Sequence, residues 1–176
     1  MLIKNILYAI KLLAEKNIKF GKTFIQKVLY LSLPEDERDL YYIPYYYGPY
    51  SENVQMLLKS LVFIDYIDYN EIDHSFQLKK TDDSLIKYEN ERIKFLIDFL
   101  IKNDIKNTSK ISNLAKTFMI LDANNSLKNG HRIDELIKLI KERADFVGWK
   151  ELSKYDNDLI SGYIKLSKKL AKNLPN

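Results

Sequence analysis

Few side chains in this sequence have the chemistry for catalysis or metal binding. The two histidines, His74 and His131, lie far apart along the chain, and neither has another histidine or paired acids at metal-ligand spacing. A catalytic imidazole also needs a neighbouring group that orients it, and the sequence places none beside either histidine. We therefore interpret both histidines as surface residues.

Other familiar catalytic arrangements are also missing from the sequence. The chain has no cysteine, which removes thiolate metal sites, disulfides and cysteine nucleophiles, and fits a reducing compartment. It has five glycines and no glycine-rich phosphate loop. An acidic run covers Glu35, Asp36, Glu37 and Asp39, but nothing fixes its geometry for a divalent cation, so residues 34–39 are predicted to form a solvated loop. We expect no enzymatic activity, no cofactor and no bound metal, and a metal-dependent enzyme is the most distant alternative.

The densest group of functional candidates is a run of tyrosines. Six of the thirteen tyrosines lie in residues 41–50. Exposed tyrosines give rigid contacts with one apolar and one polar end, which are common at protein interfaces. The alternative is that the cluster belongs to the core and to the turn at Gly48-Pro49, and this alternative is favoured for Tyr47 and Tyr50. The predicted contacts for a partner protein are Tyr41, Tyr42, Tyr45 and Tyr46.

Positive charge is concentrated in the second half of the chain. Residues 1–90 carry 11 Lys+Arg and 13 Asp+Glu, a sum of −2, and residues 91–176 carry 17 and 11, a sum of +6. Such an asymmetry suggests a polyanion or an acidic partner. Four lysines of the last helix share one face, although cations there also complement the helix dipole. The candidate nucleic-acid contacts are Lys79, Lys80, Lys165, Lys168, Lys169 and Lys172.

The elements that position these residues follow from the spacing of apolar side chains. Helical periodicity predicts helices at 2–15 and 22–32, and tyrosine-rich residues 41–47 predict a short edge strand interrupted by Pro44. Ser51 is predicted to cap a third helix. Strands are predicted at 64–69 and 76–79 with a turn between them. The order helix, helix, strand, helix, hairpin predicts a winged-helix-like region over residues 1–80.

The remainder of the chain predicts a helical bundle. Asp82, Asp83 or Ser84 is a candidate cap for a long helix that carries Leu85, Ile93, Leu96 and Leu100, and Thr108 is a candidate cap for the next. Further helices are predicted after Asn129-Gly130 and after about Asn157. Residues 81–176 are expected to pack on residues 1–80 in one body, so the fold class is mainly α with a small β-hairpin or wing. No segment approaches the length of a membrane span, and a cytoplasmic location is expected.

Two linked motifs resemble a known family. Lys22, Gln26, Lys27 and Tyr30 match a K-x-x-x-Q-K-x-x-Y helix, and residues 47–51, Tyr-Gly-Pro-Tyr-Ser, match a Y-G-P turn that enters the next helix. Together they resemble the YwgA-like proteins and the related SocA-type, or Panacea-domain, antitoxins. The resemblance covers about residues 20–65. It implies a protein that binds and silences a toxin protein, or delivers it to a protease, and it carries over no catalytic residue.

The sequence favours a non-catalytic regulatory protein of winged-helix type that binds another protein. The expected contact surface is the tyrosine-rich strand together with the acidic residues before it. The predicted recognition helix supports this choice, because its exposed positions carry one acid, one lysine and no arginine, and DNA binding depends on attraction to phosphates. The alternative is a winged-helix DNA-binding regulator, expected as a homodimer.

Overall fold

The computed structural model describes residues 1–79 and 88–175, and within these ranges the protein is mainly helical with two small antiparallel hairpins. This agrees with the predicted class of a mainly α protein that carries a small hairpin. The described elements are α1 (Leu2–Glu15), α2 (Lys22–Ser32), α3 (Glu35–Tyr41), β1 (Ile43–Tyr45), β2 (Gly48–Tyr50), α4 (Glu52–Phe63), β3 (Ile67–Asn70), β4 (Ser75–Leu78), α5 (Glu91–Lys102), α6 (Thr108–Ala123), α7 (Ile133–Phe146), α8 (Lys150–Lys154) and α9 (Asn157–Asn173).

Helices α1 and α2 begin and end where the apolar periodicity predicts. The stripe of α1 is fully buried at Ile6, Ile10 and Leu13. Asn17 ends the helix with a positive φ of 54°, and the N–H of Ile18 donates to the carbonyl of Leu13 at 3.0 Å. A polar residue in the left-handed region followed by this hydrogen bond satisfies the last carbonyls of a helix.

The acidic run is the start of a helix, so the prediction of a surface loop at 34–39 is wrong. Pro34 stands at the N-cap position of α3, and Glu35, Asp36 and Glu37 occupy its first turn. Acidic side chains at this end are stabilised by the positive end of the helix dipole. The same residues that suggest a solvated loop by their charge are therefore well suited to a helix start.

The tyrosine-rich segment forms a hairpin in place of the predicted single strand over 41–47. Tyr41 closes α3, β1 holds Ile43 to Tyr45, and the chain turns back into β2. Pro44 faces Pro49 in the antiparallel register. Gly48 has a φ of 101°, a left-handed conformation that a glycine adopts without strain.

The next two elements follow the predicted order. The side chain of Ser51 caps α4 by accepting a hydrogen bond from the N–H of Val54 at 3.4 Å, as predicted. Strands β3 and β4 form an antiparallel hairpin that is shorter than predicted. Strand β4 packs against α1, and the N–H of Phe76 donates to the carbonyl of Phe20, just before α2, at 3.0 Å.

Two of the predicted helix starts in the second half need correction. Residues 88–90 are not helical and Asn90 caps α5, so the helix with Ile93 and Leu96 begins later than predicted; the proposed caps at 82–84 lie outside the described residues. Asn107, rather than Thr108, caps α6 by accepting a hydrogen bond from Lys110 N–H. Helices α7 and α9 begin close to their predicted starts.

Helix α2 lies at the centre of the packing. It packs against α1, α4, α5, α6 and β2, so residues from both halves of the chain share one apolar core. Tyr30 of α2 makes edge contacts with Tyr42 and with Phe118 of α6, at ring-centroid distances of 5.3 and 6.2 Å. None of the helices in the described ranges has the length and apolar character needed to cross a membrane.

Candidate functional site

The tip of the β1–β2 hairpin carries a run of neighbouring exposed aromatic side chains. Residues 43–47 are all exposed, and we call the side chains of Ile43, Tyr45, Tyr46 and Tyr47 the tyrosine ridge. Tyr46 reaches 76% exposure. The rings of Tyr45 and Tyr46 meet edge to face at 4.8 Å between centroids. The ridge is therefore a group of packed aromatic rings open to solvent.

The other two predicted contact tyrosines have different surroundings. Tyr41 is exposed at the end of α3 and lines a cavity of about 360 Å³ beside the N-terminus. Tyr42 is only 4% exposed, and burial raises the pKa of its hydroxyl well above the usual value. Its prediction as a partner contact is wrong, because its ring completes the core against Tyr30. Alternation along the chain sends this one ring inward.

Tyr47 and Tyr50, which the sequence assigns to the turn, also differ from each other. Tyr50 is half-buried, and its hydroxyl donates to the carboxylate of Glu52 at 2.7 Å. This hydrogen bond to the acid raises the pKa of Tyr50 to about 12. Tyr47 is exposed on the ridge, so its assignment to a purely structural role does not fit its position.

A glutamine of α2 fixes the end of the hairpin. The side-chain amide of Gln26 donates to the carbonyl of Ser51 at 2.9 Å, and its oxygen accepts from the N–H of Ser51 at 3.0 Å. Both residues are buried. The pair satisfies two backbone groups at the junction of β2 and α4, so the hairpin leaves the core in one defined direction.

A buried lysine supports the hairpin from beneath. The ammonium group of Lys27 donates to the carbonyl of Pro49 at 2.8 Å, and the residue is 2% exposed. Burial, together with the nearby positive charge of Lys116, lowers the pKa of Lys27 to about 7. Lys116 is also buried, and burial lowers its pKa. A Cβ at Gly48 would lie 3.1 Å from Cγ of Lys116, so a larger residue there would press on the lysine.

The third support comes from the only tryptophan of the chain. The indole N–H of Trp149 donates to the carbonyl of Tyr45 at 2.7 Å. The ring is buried, and the Lys116 ammonium lies 5.6 Å from its centroid, within the range of a cation–π contact. Residues distant in sequence thus hold the ridge in position through α2, α6 and the segment before α8.

The predicted nucleic-acid contacts do not form one free basic surface. Lys79 pairs with Asp65 at 2.9 Å, and the hydrogen bond with that acid raises the pKa of Lys79. Lys168 donates to the carbonyl of Asn129 at 2.8 Å, and Lys169 lies over the ring of Phe99 at 6.0 Å. The remaining two, Lys165 and Lys172, are exposed on α9, and Lys80 lies outside the described residues.

The histidines and acids considered for chemistry are dispersed. Nδ1 of His74 shares a hydrogen bond with the hydroxyl of Tyr69 at 2.9 Å, and His131 is exposed before α7. Glu35 pairs with Lys128, whose hydrogen bond lowers the pKa of the carboxyl. In the part of the chain that the structure describes, no three His, Cys, Asp or Glu side chains are grouped to hold a metal ion.

The supporting residues are those that sequence reasoning missed. Gln26 and Lys27 were visible as motif residues, but their link to Pro49 and Ser51 depends on two segments meeting in space. Lys116 and Trp149 belong to no recognisable sequence motif, and the only signal at either position is that Trp149 is the single tryptophan. A lysine within an apolar helical face, as at Lys27, is the one signal that could have identified a buried charge.

Comparisons with known proteins give no family for this chain. No family model matches it, and no curated protein matches it. The likeness of the α2 and Y-G-P motifs to the Panacea-type proteins therefore stays a prediction from the sequence.

Proposed function

We propose that this protein is a non-catalytic regulatory protein of winged-helix type that binds a partner protein through the tyrosine ridge and Tyr41. One observation carries the proposal. Four large side chains of residues 43–47 are exposed together on a hairpin whose backbone is held from beneath by Lys27 and Trp149. The expected location is the cytoplasm.

The exposed aromatic side chains of the tyrosine ridge are suited to binding another protein. Aromatic side chains have few rotatable bonds, so ordering them on binding costs little conformational entropy, and each buries a large area. The edge contact of Tyr45 with Tyr46 restricts the rings further. A surface that is already ordered before binding gains affinity because less freedom is lost on association.

The motif residues support the likeness to antitoxins of the Panacea type. Gln26 and Lys27, from the first motif, hydrogen-bond to Ser51 and Pro49, in the second. The two motifs would then be linked because they build one structural unit that presents the ridge. An antitoxin acts by covering another protein, and a rigid aromatic ridge is suited to this task. The winged-helix assignment rests on the order of α1, α2, α4 and the β3–β4 hairpin.

DNA binding is the second candidate, and the same element order favours it. In winged helices the helix before the wing enters the major groove. Against this, α4 exposes Met56 and Phe63, and Lys79 on the wing is paired with Asp65. A surface of this kind offers little attraction to phosphates. We therefore place protein binding first.

The test begins with recovery of the partner from the protein's own cells, with and without nuclease, followed by calorimetry with the purified partner. The double substitution Tyr45→Ala with Tyr46→Ala should weaken binding at least about tenfold, because each truncated aromatic anchor costs about 1–2 kcal/mol or more. The melting temperature should change little, since both rings are exposed.

A matched control separates the ridge from exposed aromatic surface in general. Phe63→Ala with Phe146→Ala removes two strongly exposed rings of α4 and α7 and should leave the affinity unchanged. Equal partner affinity of the Tyr45/Tyr46 variant and the wild type would contradict the proposal. Recovery of DNA, with an affinity that falls steeply as salt is added, would favour the second candidate. Self-association that the tyrosine substitutions abolish would assign the ridge to a homodimer.

A further inference from the structure

We propose that the partner segment bound at the tyrosine ridge is acidic, and that it continues from Tyr47 into a neighbouring cleft lined by lysines. This inference rests on the proposed protein-binding function and specifies the chemistry of the partner. It follows from a cavity, from the pairing of the charges around it, and from the position of Tyr47 between the cavity and the ridge.

The cleft is a cavity beside Tyr47 of the ridge, with a volume of about 570 Å³. Three loops form its walls: residues 19–23 before and at the start of α2, residues 73–75 in the β3–β4 turn, and residues 106–108 before α6. Tyr47 also lines it. A segment lying on the ridge can therefore pass over Tyr47 and enter the cleft without leaving the protein surface.

The charges of the cleft are unbalanced once internal pairs are counted. Asp73 is held by Lys19 at 2.9 Å, and nearby Asp104 is held by Lys110 at 2.6 Å. The lysines that remain are Lys22 and Lys106, which have no ion pair with a carboxylate among the described residues. The charge of Lys106 acts on Asp104, but that acid is already paired with Lys110, so the described cations around the cleft outnumber the acids and attract a carboxylate from a partner.

The walls of the cleft are held in place. Lys22 lies over the ring of Tyr69 at 4.3 Å, and the hydroxyl of that tyrosine shares a hydrogen bond with His74. The turn approaches α2 so closely that a Cβ at Gly21 would lie 2.3 Å from the carbonyl oxygen of His74. The first turn of α2, which no side chain caps, lines the same cleft and adds partial positive charge.

A buried lysine adds positive potential behind the ridge. The ammonium group of Lys116 lies against Trp149, which holds Tyr45, and Lys116 makes no ion pair with a carboxylate among the described residues. Glu151 is the acid whose field acts on Lys116, and it is exposed on α8. Lys116 thus lies near the hairpin at Gly48, and the two cleft lysines line the same cavity as Tyr47.

This arrangement favours an acidic protein segment over a nucleic acid. A nucleic acid carries a regular row of phosphates and needs many free cations along its path. Among the described residues, the cleft supplies two lysines without an ion pair beside an aromatic ridge, which suits a chain in which carboxylates alternate with apolar groups. The turn of the nearby β3–β4 hairpin carries the exposed acid Glu71, which would repel a longer polyanion.

The test measures binding of defined probes by fluorescence anisotropy. The probes are a labelled peptide of alternating glutamate and leucine, the same peptide with glutamine in place of every glutamate, and a labelled single-stranded oligonucleotide. The wild type should bind the acidic peptide most tightly, at low salt. Lys22→Gln with Lys106→Gln should weaken that binding at least about fivefold, because two charge-assisted contacts are lost.

A charge-matched variant serves as the control. Lys165→Gln with Lys172→Gln removes the same charge from α9, outside the cleft, and should leave affinity for the acidic peptide within about twofold of the wild type. An equal loss of peptide affinity in the two lysine variants would overturn the inference, because the affinity would then depend on the net charge of the protein and not on the cleft. Tighter binding of the oligonucleotide, or no binding of the acidic peptide, would also overturn it.

The tyrosine variant distinguishes this inference from the function on which it rests. If Tyr45→Ala with Tyr46→Ala abolishes binding of both peptides while the cleft substitutions change nothing, the ridge is a protein-binding surface and the inference about acidity is wrong. If the cleft substitutions abolish binding and the tyrosine substitutions do not, the cleft accepts acidic chains but the ridge is not the contact surface.

Discussion

Gln26 and Ser51 are joined by two hydrogen bonds, with the glutamine side chain acting as donor and acceptor to the serine backbone at 2.9 and 3.0 Å. Through this pair, helix α2 fixes the point where the β1–β2 hairpin ends and α4 begins. The side chain of the same serine caps α4, so one residue connects three elements.

Replacing this glutamine should destabilise the protein strongly. Gln26→Leu leaves the buried N–H of Ser51 without a partner, and an unsatisfied buried group costs about 1–3 kcal/mol. The carbonyl of Ser51 loses one of its two hydrogen bonds and keeps the one from the N–H of Gln55. We expect the free energy of unfolding to fall by about 2 kcal/mol or more in urea titration. Gln55→Ala on α4 removes a side chain that makes no hydrogen bond to the hairpin among the described residues, and it should change the free energy of unfolding by less than about 0.5 kcal/mol. Equal stability of the two variants would show that the Gln26 pair contributes little.

The stability of the protein should rise with pH between about 7 and 9. Lys27 has a folded-state pKa of about 7, lowered from the usual value of 10.5, so the unfolded chain binds more protons across this window. The cost of burying the charge is fully present below pH 7 and is relieved as the pH rises. The expected slope is up to about 1.4 kcal/mol per pH unit. Lys116 acts in the same direction because its pKa is also lowered.

The substitution Lys27→Met isolates this effect. The apolar side chain fills similar space without a titrating group, so we expect the slope of unfolding free energy against pH to decrease clearly between pH 7 and 9. Tyrosines with raised pKa values, such as Tyr50, act only at higher pH and do not disturb this window. An unchanged slope in the variant would assign the pH dependence to another group.

Trp149 should report on the position of the ridge. The indole is buried, so its fluorescence emission is expected at short wavelength in the free protein. Trp149→Phe removes the N–H that donates to Tyr45, and a lost hydrogen bond of this kind costs about 1 kcal/mol. Hydrogen exchange should show faster exchange of amides in residues 43–50 of the variant. Unchanged protection there would mean that the other supports hold the hairpin alone.

The ion pair of Arg38 with Asp122 should contribute far more than the surface pairs. It joins α3 to α6 at 2.7 Å with both side chains largely buried, and the guanidinium also lies over the ring of Phe118 at 4.6 Å. Asp122→Ala leaves a buried cation and should cost about 3 kcal/mol. In the exposed pair Lys138–Glu142, Glu142→Ala should cost less than about 0.5 kcal/mol. Similar losses in thermal unfolding would contradict this contrast.

The sequence predicted the elements whose signals are local. Helices α1 and α2 follow from apolar residues at helical spacing and from the stop signals at Asn17 and Pro34, and the Ser51 cap follows from its place after Gly48-Pro49. Such features depend on neighbours within a few residues, so they can be recognised without the fold. The acidic start of α3 was misjudged because charge alone does not separate a solvated loop from a favourable helix N-terminus.

What the sequence determined by itself is the class of the protein: a mainly helical chain with one small hairpin and a concentration of tyrosines before α4. Only the tertiary structure decided which tyrosine is buried, since the inward direction of Tyr42 depends on Tyr30 and Phe118 from α2 and α6. It also decided that Lys27 and Trp149 hold the ridge. The physical reason is that burial and electrostatic environment arise from contacts between segments far apart in the chain, and no local pattern encodes them.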